Sequence, residues 1–147
     1  GHTYAANPLS CAVGEAVIGE LIEKDLMNNA TEMGGYLTAR LKDLANSSQV
    51  IGDIRGKGLL LAAEIVANKD TKEMLPVECR AVYRLVEIGI ENGLLLYTRK
   101  TSGGVFGEWV MITPALTIDK SEVDELIDLL RITFLQFEQE LRSLKYI

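Results

Sequence analysis

Two stretches whose apolar residues recur every three or four positions constrain the fold most, because this is the spacing of one face of a helix. The first stretch follows Asp25, and the second follows Ser121. The apolar positions are Leu26, Ala30, Met33, Leu37, Leu41 and Leu44 in the first stretch, and Val123, Leu126, Ile127, Leu130, Phe134, Phe137 and Leu141 in the second. Asp119 and Glu122 have the spacing of a capping box and predict where the second helix begins.

Short apolar runs between these helices predict the strands of a sheet. Residues 59–66, 94–97 and 109–113 are each short and apolar enough for a buried strand. The glycine-containing stretch 50–58 predicts a bend or bulge leading into the first strand. The sequence therefore predicts one α+β domain over residues 1–147, a small and mainly antiparallel sheet covered on one face by helices. The order of the strands stays open.

Two further segments complete this outline. Residues 76–92 predict a helix that Gly93 ends. Residues 98–108 carry three glycines and predict an exposed, mobile loop. The glycine spacing in 52–58 is similar to a dinucleotide-binding motif, but no helix follows it, and we reject that interpretation.

The chain opens on a helix with unusually small side chains. Asn7 suits the N-cap and Pro8 the first helical position, so we expect a helix over residues 8–24. Two glycines within it cost about 1 kcal/mol each relative to alanine, which indicates another backbone or a ligand close by. The pair Gly34-Gly35 in the next helix predicts close contact with this first helix, or a local kink.

Charge and cysteine content exclude several classes of protein. The net charge is −6 and the basic residues are scattered, which argues against a nucleic-acid-binding surface. No apolar run reaches the ~20 residues that a membrane-spanning helix needs. Cys11 and Cys79 give no disulfide framework, and a single histidine gives no zinc pattern. We expect two buried thiols and a cytoplasmic protein.

Four segments together resemble one known family. They are residues 1–12, which begin Gly-His-Thr-Tyr, then 50–64, 92–97 and 109–118. In this order they are similar to the C-terminal part of class III aminotransferases, which are pyridoxal-phosphate-dependent enzymes of fold type I. The resemblance covers nearly the whole chain, but residues 5–7 are Ala-Ala-Asn where the family commonly has Ser-Gly-His.

The resemblance implies a fragment of a longer enzyme. It implies the small C-terminal domain, preceded by an interface helix over residues 8–24, with an N-terminal cofactor domain upstream and a second subunit in a homodimer. The parent enzyme would transfer an amino group from an amine or ω-amino acid to a 2-oxo acid. The lysine that carries the cofactor lies upstream in the family, so this chain alone should be inactive.

The resemblance also implies roles for particular residues. The hydroxyl of Thr3 would bind the phosphate of pyridoxal phosphate held by the neighbouring subunit, with His2 beside it in a positioning role. Tyr97, Arg99 and Met111 would shape the substrate pocket. Arg99, on the predicted loop, would hold a carboxylate, and the alternative is a solvated loop arginine.

Met111 stands where many members of the family carry an arginine that clamps the α-carboxylate. Its apolar side chain argues against an ordinary α-amino acid and favours an amine or ω-amino donor. An aminomutase or a decarboxylase within the family stays open. The alternative from another class is a stand-alone α+β binding or dimerisation module without catalysis.

Overall fold

The helices and strands follow one another in an order that interleaves the two. The structure, a computed structural model, describes residues 1–100 and 107–147. Its elements are α1 (Pro8–Glu23), α2 (Leu26–Ser47), β1 (Ile51–Lys57), β2 (Leu60–Ile65), α3 (Ala81–Glu91), β3 (Tyr97–Lys100), β4 (Glu108–Ile112) and α4 (Lys120–Ser143), with a short 3₁₀ turn at Val77–Cys79.

The four strands form one antiparallel sheet in the order β1-β2-β4-β3. One face of the sheet carries the buried side chains of β2 and β4 and packs against α2, α3 and α4 in a single apolar core. We call this the inner face. Its buried strand residues are Leu61, Ala63, Ile65, Val110 and Ile112. The predicted α+β architecture, with helices on one face of an antiparallel sheet, is confirmed.

The two long helices lie where their apolar stripes predict them. Leu37 and Leu41 of α2 and Phe134 and Phe137 of α4 are almost fully buried. The capping box at the start of α4 is complete, because Asp119 accepts a hydrogen bond from the Glu122 backbone and returns one through its own backbone N–H. Burying each large apolar side chain stabilises the fold by about 2 kcal/mol. The two stripes therefore contribute much of the stability of the core.

The prediction for residues 50–58 was wrong in part. The segment contains strand β1, although its register is shifted by an irregularity between Ile51 and Asp53, as a bulge would give. Glycines and charged residues have low strand propensity, so the local sequence does not indicate a strand here. Pairing with β2 stabilises β1, and the charged side chains of β1 suit the exposed edge of a sheet.

The limits of α3 and β3 also differ from the predictions. Arg80, with φ of 46°, separates a 3₁₀ turn from α3, so the predicted helix over 76–92 is divided. Gly93, in the left-handed conformation, ends α3, and the backbone N–H of Leu94 bonds to Gly89. That bond draws residues 94–96 away from the sheet, and β3 begins only at Tyr97.

The predicted loop over 98–108 is therefore shorter than expected. Residues 98–100 belong to β3, and Glu108 belongs to β4. Arg99 consequently lies on a strand and not on a loop, which corrects its predicted position. The rest of the predicted loop, residues 101–106, lies outside the described residues.

Gly34 of the glycine pair in α2 lies against the turn between β1 and β2, and not against α1 as predicted. A Cβ added to Gly34 would lie 2.4 Å from the backbone carbonyl of Gly58, in the turn between β1 and β2. Nothing lies within 4 Å of a Cβ added to Gly35. Gly34 thus lets α2 approach the β1–β2 turn, and α2 continues through both glycines without a break.

Helix α1 is the exception to the burial of apolar residues. None of its residues is buried, and Leu9, Val13, Val17, Ile18 and Ile22 are each more than half exposed. A helix that is apolar around its whole circumference is typical of one covered on several sides. Cys11 on α1 is exposed and Cys79 is half-buried, so the prediction of two buried thiols was wrong.

An ion pair between α3 and α4 makes stability depend on pH. Arg84 donates to both carboxylate oxygens of Glu140, at 2.8 and 2.6 Å, and these hydrogen bonds lower the pKa of Glu140. A carboxyl group with a lowered pKa stabilises the fold above its unfolded pKa, about 4.3, and this contribution is lost as the pH falls.

We expect Glu140→Gln to lower the free energy of unfolding at pH 7 by about 1 kcal/mol, because a pair that is one-third exposed is screened by solvent. Between pH 7 and pH 3 the difference from the wild type should shrink towards zero. Urea unfolding of both proteins at several pH values measures it. A difference that stays constant down to pH 3 would contradict the assignment.

Candidate functional site

The face of the sheet opposite the helices carries most of the charged side chains of the four strands and both of the aromatic ones described in them. Successive residues of a strand point to opposite faces, so the partners of each outward residue also point outward. We call this surface the outer face. Its residues, in two rows across the sheet, are Asp53, Glu64, Trp109 and Arg99, and then Arg55, Ala62, Met111 and Tyr97.

The structure brings three of the predicted site residues together on the outer face. Tyr97 is the cross-strand partner of Met111, and Arg99 is that of Trp109. Tyr97 and Arg99 are exposed, and Met111 is half-buried. The Arg99 Nη1 and the Tyr97 hydroxyl are 3.5 Å apart. Among the described residues Arg99 makes no ion pair with a carboxylate, so its charge is available to an anion.

Arg55 also lies on the outer face, but unlike Arg99 it forms ion pairs with carboxylates. Its Nη2 lies 2.9 Å from Glu64 Oε1, and its Nε lies 3.2 Å from Asp53 Oδ2. The side chain of Glu64 is 20% exposed, so the pair with Arg55 is partly shielded from water. These two carboxylates neutralise Arg55, which favours a structural role for it over the binding of an anion.

Two hollows adjoin Met111. One has a volume of about 400 Å³ and lies where β3 and β4 diverge; its lining is residues 94–97 and 111–114 together with Leu126. The second, also of about 400 Å³, lies over β1, β2 and β4, and its lining includes Leu60, Ala62, Trp109 and Met111, with Arg55 and Lys57 at its border. Both hollows are open to solvent and lined mainly by hydrocarbon.

His2 and Thr3 lie apart from the outer face, in a turn before α1. The Ala5 N–H donates to the His2 carbonyl at 2.9 Å, and Ala6 has φ of 59°. Both His2 and Thr3 are exposed. No hydrogen bond or ion pair joins this turn to the sheet within the described residues. The structure therefore groups the predicted site residues into two separate places.

The turn has the chemistry that an anion such as a phosphate needs. The Asn7 side chain caps α1 by accepting from the Ser10 backbone N–H at 3.1 Å, so the turn leads directly into a helix N-terminus, which attracts negative charge. Within the described part of the chain, the Thr3 hydroxyl takes part in no hydrogen bond. A hydroxyl that is exposed and uncommitted fits a phosphate oxygen.

Sequence reasoning missed Trp109 and Glu64 as neighbours of the site. The signal for Trp109 was the alternation along β4, in which Trp109 and Met111 share one face while Val110 and Ile112 share the other. The pair Lys100–Glu108 was missed as well. It is an ion pair almost out of contact with solvent, with the Lys100 Nζ 5.4 Å from the centre of the Tyr83 ring, and it joins β3 to β4 beneath Arg99 and Trp109.

Two other classes of site are absent from residues 1–100 and 107–147. No group of three or more histidine, cysteine, aspartate or glutamate side chains there could hold a metal ion. No helix there is both long enough and apolar enough to cross a membrane.

Comparison with known proteins gives a consistent result. The family model for class-III aminotransferases matches residues 1–134. The uncharacterized aminotransferase YodT of Bacillus subtilis is 34% identical over 146 residues, which are 97% of this chain and 32% of that protein. A leucine/methionine racemase of Thermococcus litoralis is 33% identical over 142 residues, 95% of this chain and 30% of the racemase. The chain thus spans about a third of the length of these relatives.

A solved structure agrees with the sequence comparison. The chain superposes on a transaminase from the marine bacterium Virgibacillus with a TM-score of 0.89 and 27% sequence identity. The superposition covers 96% of this chain and 31% of that one. The likeness therefore extends over nearly the whole chain.

Proposed function

The chain belongs to the class-III aminotransferase family, whose members depend on pyridoxal phosphate, and we propose that it is the C-terminal part of a transaminase that moves an amino group from an amine or ω-amino acid to a 2-oxo acid. The family match over residues 1–134 removes the support for an unrelated binding module. Residues 1–147 would be the small domain preceded by the interface helix α1.

The observation that carries the proposed substrate class is the grouping of Tyr97, Arg99 and Met111 on the outer face. A transaminase substrate needs a carboxylate site for the 2-oxo acid and a surface for its hydrocarbon. Arg99 offers a planar fork of donors without a carboxylate partner in the described residues, which suits bidentate binding. Met111 and the hollows beside it offer the apolar surface.

The exposed surface of α1 supports the proposed assembly. Its apolar residues would be covered by the upstream domain and by a second subunit in a homodimer, because a helix apolar on all sides is unstable in water. In that dimer the turn before α1 would reach the cofactor of the other subunit. Thr3 would donate its hydroxyl hydrogen to the phosphate, and His2 would position the turn.

The cofactor supplies the electron sink and the carrier for the amino group. The residues of this chain would provide the surroundings for that chemistry. Thr3 holds the phosphate end, Arg99 binds and orients the carboxylate, and Met111 and Tyr97 exclude water from the hydrocarbon part. The lysine that carries the cofactor would come from upstream, so this chain alone would not catalyse.

The proposed location is the cytoplasm. Both cysteines are free thiols. Thiols are kept reduced in the cytosol, whereas disulfides form in oxidising compartments.

A racemase is the second candidate function, because the Thermococcus litoralis relative is as similar to the chain as the aminotransferases are. The two candidates differ in whether a second substrate is needed. The complete enzyme should form alanine from pyruvate only when an amine donor is present, and should leave L-leucine and L-alanine unracemised. Racemisation of a single amino acid without any 2-oxo acid would favour the second candidate.

Thr3→Ala in the complete enzyme should weaken the binding of pyridoxal phosphate by roughly ten- to a hundredfold, because a hydrogen bond to a charged group contributes about 1.5–3 kcal/mol. Equilibrium titration of the apoenzyme with the cofactor measures the change. Thr3→Ser keeps the hydroxyl and should bind nearly as the wild type does. Equal affinities of the alanine and serine variants would contradict the role of Thr3.

A further inference from the structure

We propose that the buried ion pair between Lys100 and Glu108 positions Arg99. The pair fixes the register of β3 against β4, and that register places the Arg99 side chain on the outer face. The effect on the register is a property of the sheet itself. The consequence for a substrate rests on the proposed transaminase function, in which Arg99 binds the carboxylate of the 2-oxo acid.

Strand β3 has few apolar contacts that could set its register. It is the shortest of the four strands and lies at the edge of the sheet, beside β4. Its residues are alternately exposed and half-buried, and none of the four is buried. The hydrophobic pattern specifies a register strongly only where one face of a strand is buried. Leu96, just before β3, is buried and anchors the beginning of the strand, so its far end needs another anchor.

The ion pair lies at that far end. Lys100 and Glu108 are direct cross-strand partners, and their side chains are 16% and 6% exposed. Glu108 is also the cross-strand partner of Ile65, which is buried on the inner face. The Lys100 Nζ lies 5.4 Å from the centre of the Tyr83 ring on α3. The pair thus ties the end of β3 both to β4 and to the helix beside it.

A buried ion pair specifies an arrangement more than it stabilises one. Removing two charges from water offsets most of their attraction, so well-packed hydrocarbon in their place is often equally stable. A slip of β3 would leave Lys100 or Glu108 buried without its partner, which is strongly unfavourable. The Thr98 hydroxyl, which donates to the Trp109 carbonyl at 3.0 Å, specifies the register less strictly, because a neutral hydroxyl can bond to another strand carbonyl.

The register decides where the Arg99 side chain lies. Arg99 precedes Lys100 and therefore points to the opposite face of the sheet, where its cross-strand partner is Trp109. A slip of one residue would turn Arg99 towards the helices, and a slip of two residues in one direction would place it opposite Met111. The buried cation thus holds the strand in the register that presents the exposed cation to a carboxylate.

Disulfide cross-linking measures the register without any catalysis. Tyr97→Cys with Met111→Cys places two thiols at directly opposed positions, where a disulfide should form. Arg99→Cys with Met111→Cys places them on the diagonal, too far apart for a disulfide in the native register. Replacing the ion pair by hydrocarbon, with Lys100→Met and Glu108→Leu, should reduce the first disulfide and allow the second. Peptide mass spectrometry of the oxidised complete enzyme identifies each bond.

Kinetics of the complete enzyme loaded with pyridoxal phosphate tests the consequence for the substrate. Lys100→Met with Glu108→Leu should raise KM for pyruvate roughly tenfold, because a displaced Arg99 loses its charge-assisted hydrogen bonds to the carboxylate. KM for the donor butylamine and kcat should stay near the wild-type values. Thermal stability should also stay near that of the wild type. A pair that served stability alone would give the reverse, a less stable protein with an unchanged KM for pyruvate.

Three further variants serve as controls. Lys100→Glu with Glu108→Lys restores an ion pair in the same place, and it should recover the direct disulfide and the low KM for pyruvate. Glu140→Gln removes the ion pair between α3 and α4, so it should lower stability but change neither the cross-links nor KM. Lys100→Gln with Glu108→Gln is nearer in shape to the wild type, and it replaces the hydrocarbon variant if that protein does not fold.

The outcomes distinguish this inference from the function on which it partly rests. If the direct disulfide forms as readily without the ion pair as with it, the role in the register is disproved and the transaminase function stands. If the cross-links shift but KM for pyruvate does not change, the positioning of Arg99 for the substrate is disproved. If the wild type converts no amine, the transaminase function fails, whereas the cross-links still decide whether the pair sets the register.

Discussion

Gly34→Ala is expected to lower the free energy of unfolding by roughly 3 kcal/mol, the upper part of the usual range for forcing an extra methyl group into a packed site. The added Cβ would lie 2.4 Å from the carbonyl carbon and oxygen of Gly58. Both contacts are to backbone, so no side-chain rotation can relieve them. Either α2 or the β1–β2 turn must move, and the β1–β2 turn cannot adapt easily, because Gly58 has φ of 57° and lies against α2 at Ala30.

Gly35→Ala is the matched control, one residue further along the same helix. Nothing lies within 4 Å of its added Cβ. Alanine is favoured over glycine inside a helix by about 1 kcal/mol, so this variant should be slightly more stable than the wild type. Chemical denaturation of the three proteins measures both changes. Similar stabilities of the two variants would show that α2 does not approach the turn as closely as described.

Arg99→Ala should raise KM for the 2-oxo acid in the complete enzyme by roughly ten- to a hundredfold, because a hydrogen bond to a charged group contributes about 1.5–3 kcal/mol. KM for an amine that has no carboxylate, such as butylamine, should change less than about threefold. Steady-state kinetics with each substrate varied in turn measures the two effects separately.

Arg99→Lys is the conservative variant and should recover only part of the loss. An ammonium group keeps the charge but cannot present two parallel donors to a carboxylate. Because Arg99 is exposed and makes no ion pair with a described carboxylate, neither variant should alter thermal stability measurably. Equal increases of KM for the amine and for the 2-oxo acid would remove Arg99 from the carboxylate site.

Helices α2 and α4 could be predicted because the information that specifies them is local. Each has an apolar stripe of helical period, and α4 also has Asp119 and Glu122 at its start. Local cues of this kind act within three or four residues, so they can be read directly from the sequence. The same apolar stripes also predicted which residues of these helices are buried in the core.

Strands β1 and β3 could not be located in the same way, because their positions depend on partners far along the chain. β1 contains two glycines and three charged residues and is a strand only because β2 pairs with it. The leucines at 94–96 indicated a strand, but Leu94 instead bonds to the end of α3, and Leu95 is 85% exposed. Tertiary contacts overrode local propensity in both places.

The site residues show the same division. Thr3, Tyr97, Arg99 and Met111 could be named from the resemblance to a family. That Tyr97, Arg99 and Met111 share one face depends on the register of β3 against β4, which the sequence does not specify. The two hollows that share Met111 in their linings appear only when β2, β3 and β4 lie side by side, since a hollow is a property of several strands together.

The strand order also affects how the domain assembles during folding. β1 and β2 are joined by a tight turn, and the nearby approach of Gly34 to Gly58 adds α2 to them, so this unit can form from contacts that are close in sequence. The central pairing of β2 with β4 spans α3 and β3 in the sequence, and closing so long a segment costs more entropy. We therefore expect the outer face with its two hollows to form after the β1–β2 unit.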